Sequence, residues 1–388
     1  MPMYDKNDLI ELKNKKKRRK RIINITLFLV LAAAGTAIFF TQELWLPKLR
    51  GIGEQYTTIV NDGRLAEGNF PIEINGGSSY QFDCTKECAV VLCDAYVYFY
   101  SQEGGLIKRR QHAYTNAVMN VVSDRVLIYE SGGSDFSVED RNGVLYSKTM
   151  NENIVFARLS KNGYAAVVTA SKNYDCEIEV YDRRGTAIYE RKCTEYVNDI
   201  SFNDDGSGCV ISYIYAENGS MQTSVQEISF TEENAKWTSP GIDTMGIDVY
   251  NCDDGAFVLG EDACGYVDSK GQISSFYQYD GSLAEGSGND GKAAVIMNSE
   301  DRRKYEMVLF NGGAADPVVL NFESPLIDVS VDGDLAYVMT QDSVLAYDFK
   351  GGLRSTAQIS DSYTGFVRNG SYIFLKSFNK IDRIDFES

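Results

Sequence analysis

The sequence has a single histidine, His112, in 388 residues. That scarcity removes every multi-histidine metal site and most histidine-based catalysis. His112 itself follows Arg109 and Arg110 with no orienting acid or nucleophile readable beside it, so it reads as a neutral surface histidine. Proline is also scarce, at 6, and Trp237 is the only tryptophan after residue 50. None of the eight cysteines forms a C-x-x-C pair, which argues against zinc. No stretch with helical periodicity follows residue 68, so an alternating parallel α/β sheet is excluded. Gly286, Gly288 and Gly291 match the dinucleotide spacing G-x-G-x-x-G, yet strand-like AAVIM follows where that motif needs a helix. The Asp-rich turns at 203–205, 253–254 and 332–334 fit no calcium loop and read as Asx-stabilised hairpins. No catalytic residue, metal ligand or cofactor is assigned.

What is present begins with charge. Residues 1–50 carry 11 Lys/Arg against 4 Asp/Glu, whereas residues 51–388 carry 27 against 51. So acidic a body repels phosphate, which excludes nucleic acid as its partner. The basic excess lies mostly in residues 13–21, eight cations in nine positions, and residues 22–40 follow without one charge. As a helix those 19 residues span roughly 28 Å, close to the hydrocarbon thickness of a bilayer. The expectation is a basic cytoplasmic tail (1–21), a single transmembrane helix (22–40) that meets the lipid bilayer, a juxtamembrane linker (41–68) and an extracytoplasmic body (69–388), anchored in the cell membrane. A signal peptide cleaved near Gly35-Thr36-Ala37 is the rival, and leaves an apolar mature N-terminus.

The body is periodic. A short alternating strand, a polar residue, a Gly-bearing turn and a second strand recur, as in FSVEDRNGVLYSK, IEVYDRRGTAIYERK and VLAYDFKGGLRST. The residue entering this turn is Ser101, Asp140, Asp182, Thr231, Asp268, Asn311, Asp348 and Asp385, in steps of 37 to 49. A second glycine turn recurs between these, at Gly163, Gly206, Gly255, Gly291, Gly333 and Gly370. Two hairpins per unit of roughly 40 residues make four strands, the blade of a β-propeller. The fold expected is all-β: an eight-bladed β-propeller, with seven blades as the alternative if the poorly matched first unit is a cap. The last phrase, 381–388, lacks an outermost strand, and an orphan strand at 70–74 is expected to supply it and close the ring.

On this architecture the chain resembles propellers of the WD-repeat-like and PQQ-like type. More narrowly, it resembles a family of membrane-anchored bacterial propeller proteins of unknown function from Gram-positive anaerobes. It lacks a recurring Trp-Asp pair and a Trp-docking motif in each blade, so no quinone cofactor is implied. The function expected is binding or scaffolding at the cell envelope, with a protein or polysaccharide partner. The alternative is an envelope polysaccharide hydrolase or lyase using acids in the propeller channel. Loops between second and third strands and between blades share one face, and Tyr114, Tyr174, Tyr196 and Tyr363 on them are the candidate binding residues. Packing between blades is the competing role for these rings. Cys176 and Cys193 flank one hairpin. A two-residue Arg184-Gly185 loop sets them opposite each other for a disulfide; a bulged longer turn shifts the register and separates them.

Overall fold

The computed structural model describes residues 58–74, 80–313, 315–360 and 362–388. The expected tail, the span at 22–40 and most of the linker lie outside these residues. The rest forms eight antiparallel sheets arranged as an eight-bladed propeller, so the first unit is a full blade and not a cap. Blades 1 to 7 cover residues 81–111, 117–149, 154–193, 196–238, 246–278, 282–322 and 326–358, each with its first strand innermost. Blade 8 takes three strands from residues 365–385, and Ile72–Glu73 supplies its outermost strand, pairing Ile72 with Ile381 and Glu73 with Lys380. The ring closes as the periodicity implied.

Local chemistry explains the outer hairpins. Asp182 caps its own turn: its Oδ1 accepts the Arg184 and Thr186 N–H groups at 2.8 and 2.9 Å. Asp268 and Asp348 repeat that pattern, and Ser101 does so through its hydroxyl. Gly185 takes φ +80°, a left-handed conformation that side chains disfavour. Each of these five-residue turns would offset the strands by one position. A bulge one or two residues later restores the alternation, as at Val180/Tyr181 in blade 3.

Burial follows the ring. The buried side chains fall into eight clusters, one at each seam between neighbouring blades. Second strands are buried on both faces, which is why stretches such as CAVVL, AAVVT and GAFVLG are almost wholly apolar. One element was not read from sequence. Ile59–Asn61, inside the expected linker, adds to the outer edge of blade 7 as a fifth strand, parallel to Leu353–Gln358.

Candidate functional site

Innermost strands are edge strands whose N–H groups face the channel, so each needs a partner. At several seams a polar side chain from the preceding blade supplies it. Gln81 accepts from Met119 N at 2.8 Å, Asn120 from Leu159 N at 2.7 Å, Asp199 from Val249 N at 3.0 Å, and Asp328 from Phe366 N at 2.8 Å. Burial pushes the carboxyls of Asp199 and Asp328 up to about 6, against a usual value of 3.8. Arg158 joins the same system, with Nε 2.7 Å from Asp199 and Nη2 3.8 Å from Asp248. Lys161 of blade 3 spans the channel mouth, 3.0 Å from Asp204 and 2.9 Å from Asp290 of blade 6. Asn120, Arg158, Lys161, Asp199, Asp248 and Asp290 line a cavity of about 300 Å³ on the side of the first glycine turns. Seam closure accounts for Asp199 and Asp328, whose oxygens are engaged by backbone N–H groups and, for Asp199, by Arg158.

The opposite face carries the loops between second and third strands and the connections between blades. The four tyrosines do not form one surface there. Tyr174 and Tyr196 are exposed, the latter 64%, and Lys192 Nζ lies 5.9 Å from the Tyr174 ring centre. Tyr363 is buried in the seam of blades 7 and 8, where its hydroxyl donates to Asp382 at 2.9 Å. Tyr114 is half-buried at the seam of blades 1 and 2 and stacks on His112 at 5.7 Å. His112, expected at the surface, is itself buried, with Nε2 2.9 Å from the Cys93 carbonyl oxygen.

A groove over blades 4, 5 and 6 was not anticipated. Its volume is about 840 Å³. Met221, Met245 and Ile247 line it, each 39–40% exposed, together with the acids Asp243, Glu261 and Asp262; no lysine or arginine does. Its wall rises because the middle hairpin of blade 4, Gly208–Glu217 and Ser220–Ser229, has ten residues per strand and overtops its neighbours. The connection between those two strands is a tight Asn218-Gly219 turn, with φ +50° and +88°, at the tip of that hairpin. Gln222 donates to Asp243 at 2.7 Å and Thr244 to Asp262 at 2.5 Å, which fixes two of the three carboxylates in place. The signal available in the sequence was the step of 49 residues from Asp182 to Thr231, the longest of the seven.

The family described as "Family of unknown function (DUF5711)" matches residues 71–386, from the closing strand to the buried Phe386. The chain belongs to the DUF5711 family. No curated protein matches it. Among solved structures, the DUF5711 propeller is similar to BamB from Moraxella catarrhalis, with TM-score 0.55 and 14% identity over 83% of this chain and 100% of that one. It is also similar to the computationally designed Ika8 protein, with TM-score 0.62 and 12% identity over 85% and 99% of the two chains. The C-terminal WD40 domain of Sif2 gives TM-score 0.59 and 11% identity over 86% and 100%. At these identities the likeness concerns the fold, which agrees with the resemblance to WD-repeat-like propellers.

Proposed function

We propose that this DUF5711 chain is a binding and scaffolding module at the cell envelope, and that the groove over blades 4 to 6 takes a cationic, amphipathic peptide segment of a partner protein. The observation that carries this reading is the groove's lining: exposed methionine and isoleucine beside three acids, with no base. Methionine adapts its shape to apolar side chains, and carboxylates on a rim select lysine or arginine flanks. A rigid ring with a varied loop face suits such a role. The hydrolase alternative is less favoured, because Asp199 and Asp328 of the channel already serve the seams.

The envelope reading rests on the charge-free stretch 22–40 behind the cations of 13–21. It expects protease added outside intact cells to digest the body and spare the tail; digestion of the tail would overturn it. The groove is tested by fluorescence anisotropy with two labelled peptides, one alternating Leu and Lys, the other Leu and Glu. The full chain should bind the first, less tightly at higher salt. The double change Asp243→Lys and Glu261→Lys should weaken that binding about tenfold or more, roughly 1.4 kcal/mol. Equal binding of the two peptides, or no effect of the double change, would reject the groove.

A further inference from the structure

Cys176 and Cys193 are the first residue of one strand and the last of the next, Cys176–Tyr181 and Ala187–Cys193, in the outer hairpin of blade 3. The turn between them is the longer, bulged kind that was expected to separate them. Gly185 N–H donates to the Asp182 carbonyl and Asp182 N–H to the Thr186 carbonyl, a register one short of that set by a two-residue loop. The extra residue Ile188, passed over between the pairs Val180–Tyr189 and Tyr181–Ala187, restores it. Cys176 therefore faces Cys193 directly. Residues directly opposite in an antiparallel pair hold their Cβ atoms about 4.5–5.5 Å apart, within an ångström or so of the span a disulfide bridges. Both side chains are 3% exposed, and the Cys176 thiol donates to the Glu195 carbonyl oxygen at 3.7 Å. The other six cysteines have no such partner: Cys84 faces Ala89, Cys88 faces Ser101, and Cys252 faces Gly255.

We propose that Cys176 and Cys193 are a dithiol site that closes into a cross-strand disulfide by exchange with a small disulfide such as oxidised glutathione. The Cys176 thiolate attacks one glutathione sulfur and expels glutathione thiolate, leaving a mixed disulfide. Cys193, having lost its proton to solvent, attacks Cys176 Sγ and expels the second glutathione thiolate. Two protein thiols are oxidised, one disulfide is reduced, and the two departing thiolates take up the two protons. Cys176 attacks first because the proximity of Cys193 lowers its thiol from the ordinary value while that of Cys193 is raised. The bond ties down the free end of an outermost strand, which has a neighbour on one side only. It also fixes the base of the loop that carries exposed Tyr174.

The test uses the full chain, incubated with excess oxidised glutathione in two arms, folded from the start and present throughout refolding. Remaining thiols are then alkylated. Cleavage after Lys172, Arg183 and Lys192 leaves Cys176 and Cys193 on separate peptides. The expected result is one linked pair of peptides, lighter by two hydrogens than their sum, that separates on reduction; the other six cysteines stay alkylated. Reductant should lower the thermal midpoint of the oxidised parent by several degrees and leave the Cys176→Ala/Cys193→Ala variant unmoved. Alkylation of both cysteines in both arms, or linkage of a different pair, overturns the proposal.

Discussion

Removing residues 381–388 from the full chain tests whether closure holds the ring. The deletion takes out the third strand of blade 8, which lies between Tyr372–Lys376 and the incoming Ile72–Glu73. It removes Ile381, Ile384 and Phe386, all fully buried, the last against the Tyr337 ring at 5.9 Å. At about 1.5–3 kcal/mol for each buried side chain, the loss is about 5–9 kcal/mol. Ile72 then loses its partner strand and the blade 8 seams open on both sides. A native domain has in total only about 5–15 kcal/mol of stability. The truncated chain should therefore be unfolded, or melt far below the parent, by far-UV circular dichroism and urea titration. Removing only Glu387 and Ser388 is the control. That removal takes out no buried apolar side chain, only the hydrogen bonds of Ser388 with Tyr337 at 2.9 Å and Arg368 at 3.3 Å and the two that Glu387 exchanges with Asn61, and should cost about 1–3 kcal/mol. If the two truncations melt alike, or the longer one melts like the parent, blade 8 does not close the ring as described.

Three further outcomes follow from the same geometry. Burial raises Asp83, Asp199 and Asp328 to about 6. The folded chain thus holds more protons than the unfolded one between about pH 4 and 6, and its stability falls as pH rises through that window. The urea midpoint should be higher at pH 5 than at pH 7, and Asp199→Asn should flatten the difference; a midpoint that rises toward pH 7 contradicts this. A Cβ at Gly208 would lie 2.0 Å from the Ile228 carbonyl oxygen, inside a buried hairpin. Gly208→Ala should destabilise by about 2 kcal/mol or more, whereas Gly132→Ala, strained only by φ +79° with open space around it, should cost about 1 kcal/mol; chemical denaturation ranks the two. Tyr363→Ala should lower the melting temperature, through the lost seam packing and the lost hydrogen bond to buried Asp382, and Tyr196→Ala should leave it unchanged. Equal melting shifts for the two would refute their placement.

Blade number and closure were legible because each outer turn announces itself. Asp182, Asp268 and Asp348 need their own side chains to cap the turn, and a glycine must follow at the left-handed position. The orphan strand at 70–74 was legible for a different reason: the last unit, 381–388, needed an outer neighbour. The seam acids were harder to see. Asp199 and Asp248 stand seven residues before Gly206 and Gly255, and Asp328 five before Gly333. A bulge just before each acid turns it toward the next blade, and bulges leave little trace in sequence. The tyrosines show the opposite limit. Tyr174 and Tyr363 both sit in loops of one face, yet one is exposed and the other buried, because only Tyr363 finds a carboxylate, Asp382, beneath it. The groove depends on the height of a hairpin in one blade against the loops of two others; the step of 49 residues marks the extra length but not the surface it borders.

The short parallel strand Ile59–Asn61 also has a mechanical meaning. It runs along blade 7, while the strand that closes the ring, Ile72–Glu73, sits on blade 8. Between them Asn61 exchanges hydrogen bonds with Glu387, and Ala66 N–H donates to the Arg383 carbonyl. A pull on the chain ahead of Thr58, directed along that strand, loads the pairs Ile59–Ser355, Val60–Thr356 and Asn61–Ala357 together, as a lap joint is loaded. The closing strand carries no tension until that joint slips. Blade 7 is thus the point where such a pull is borne, and the closing seam of the ring lies behind it, out of the line of force.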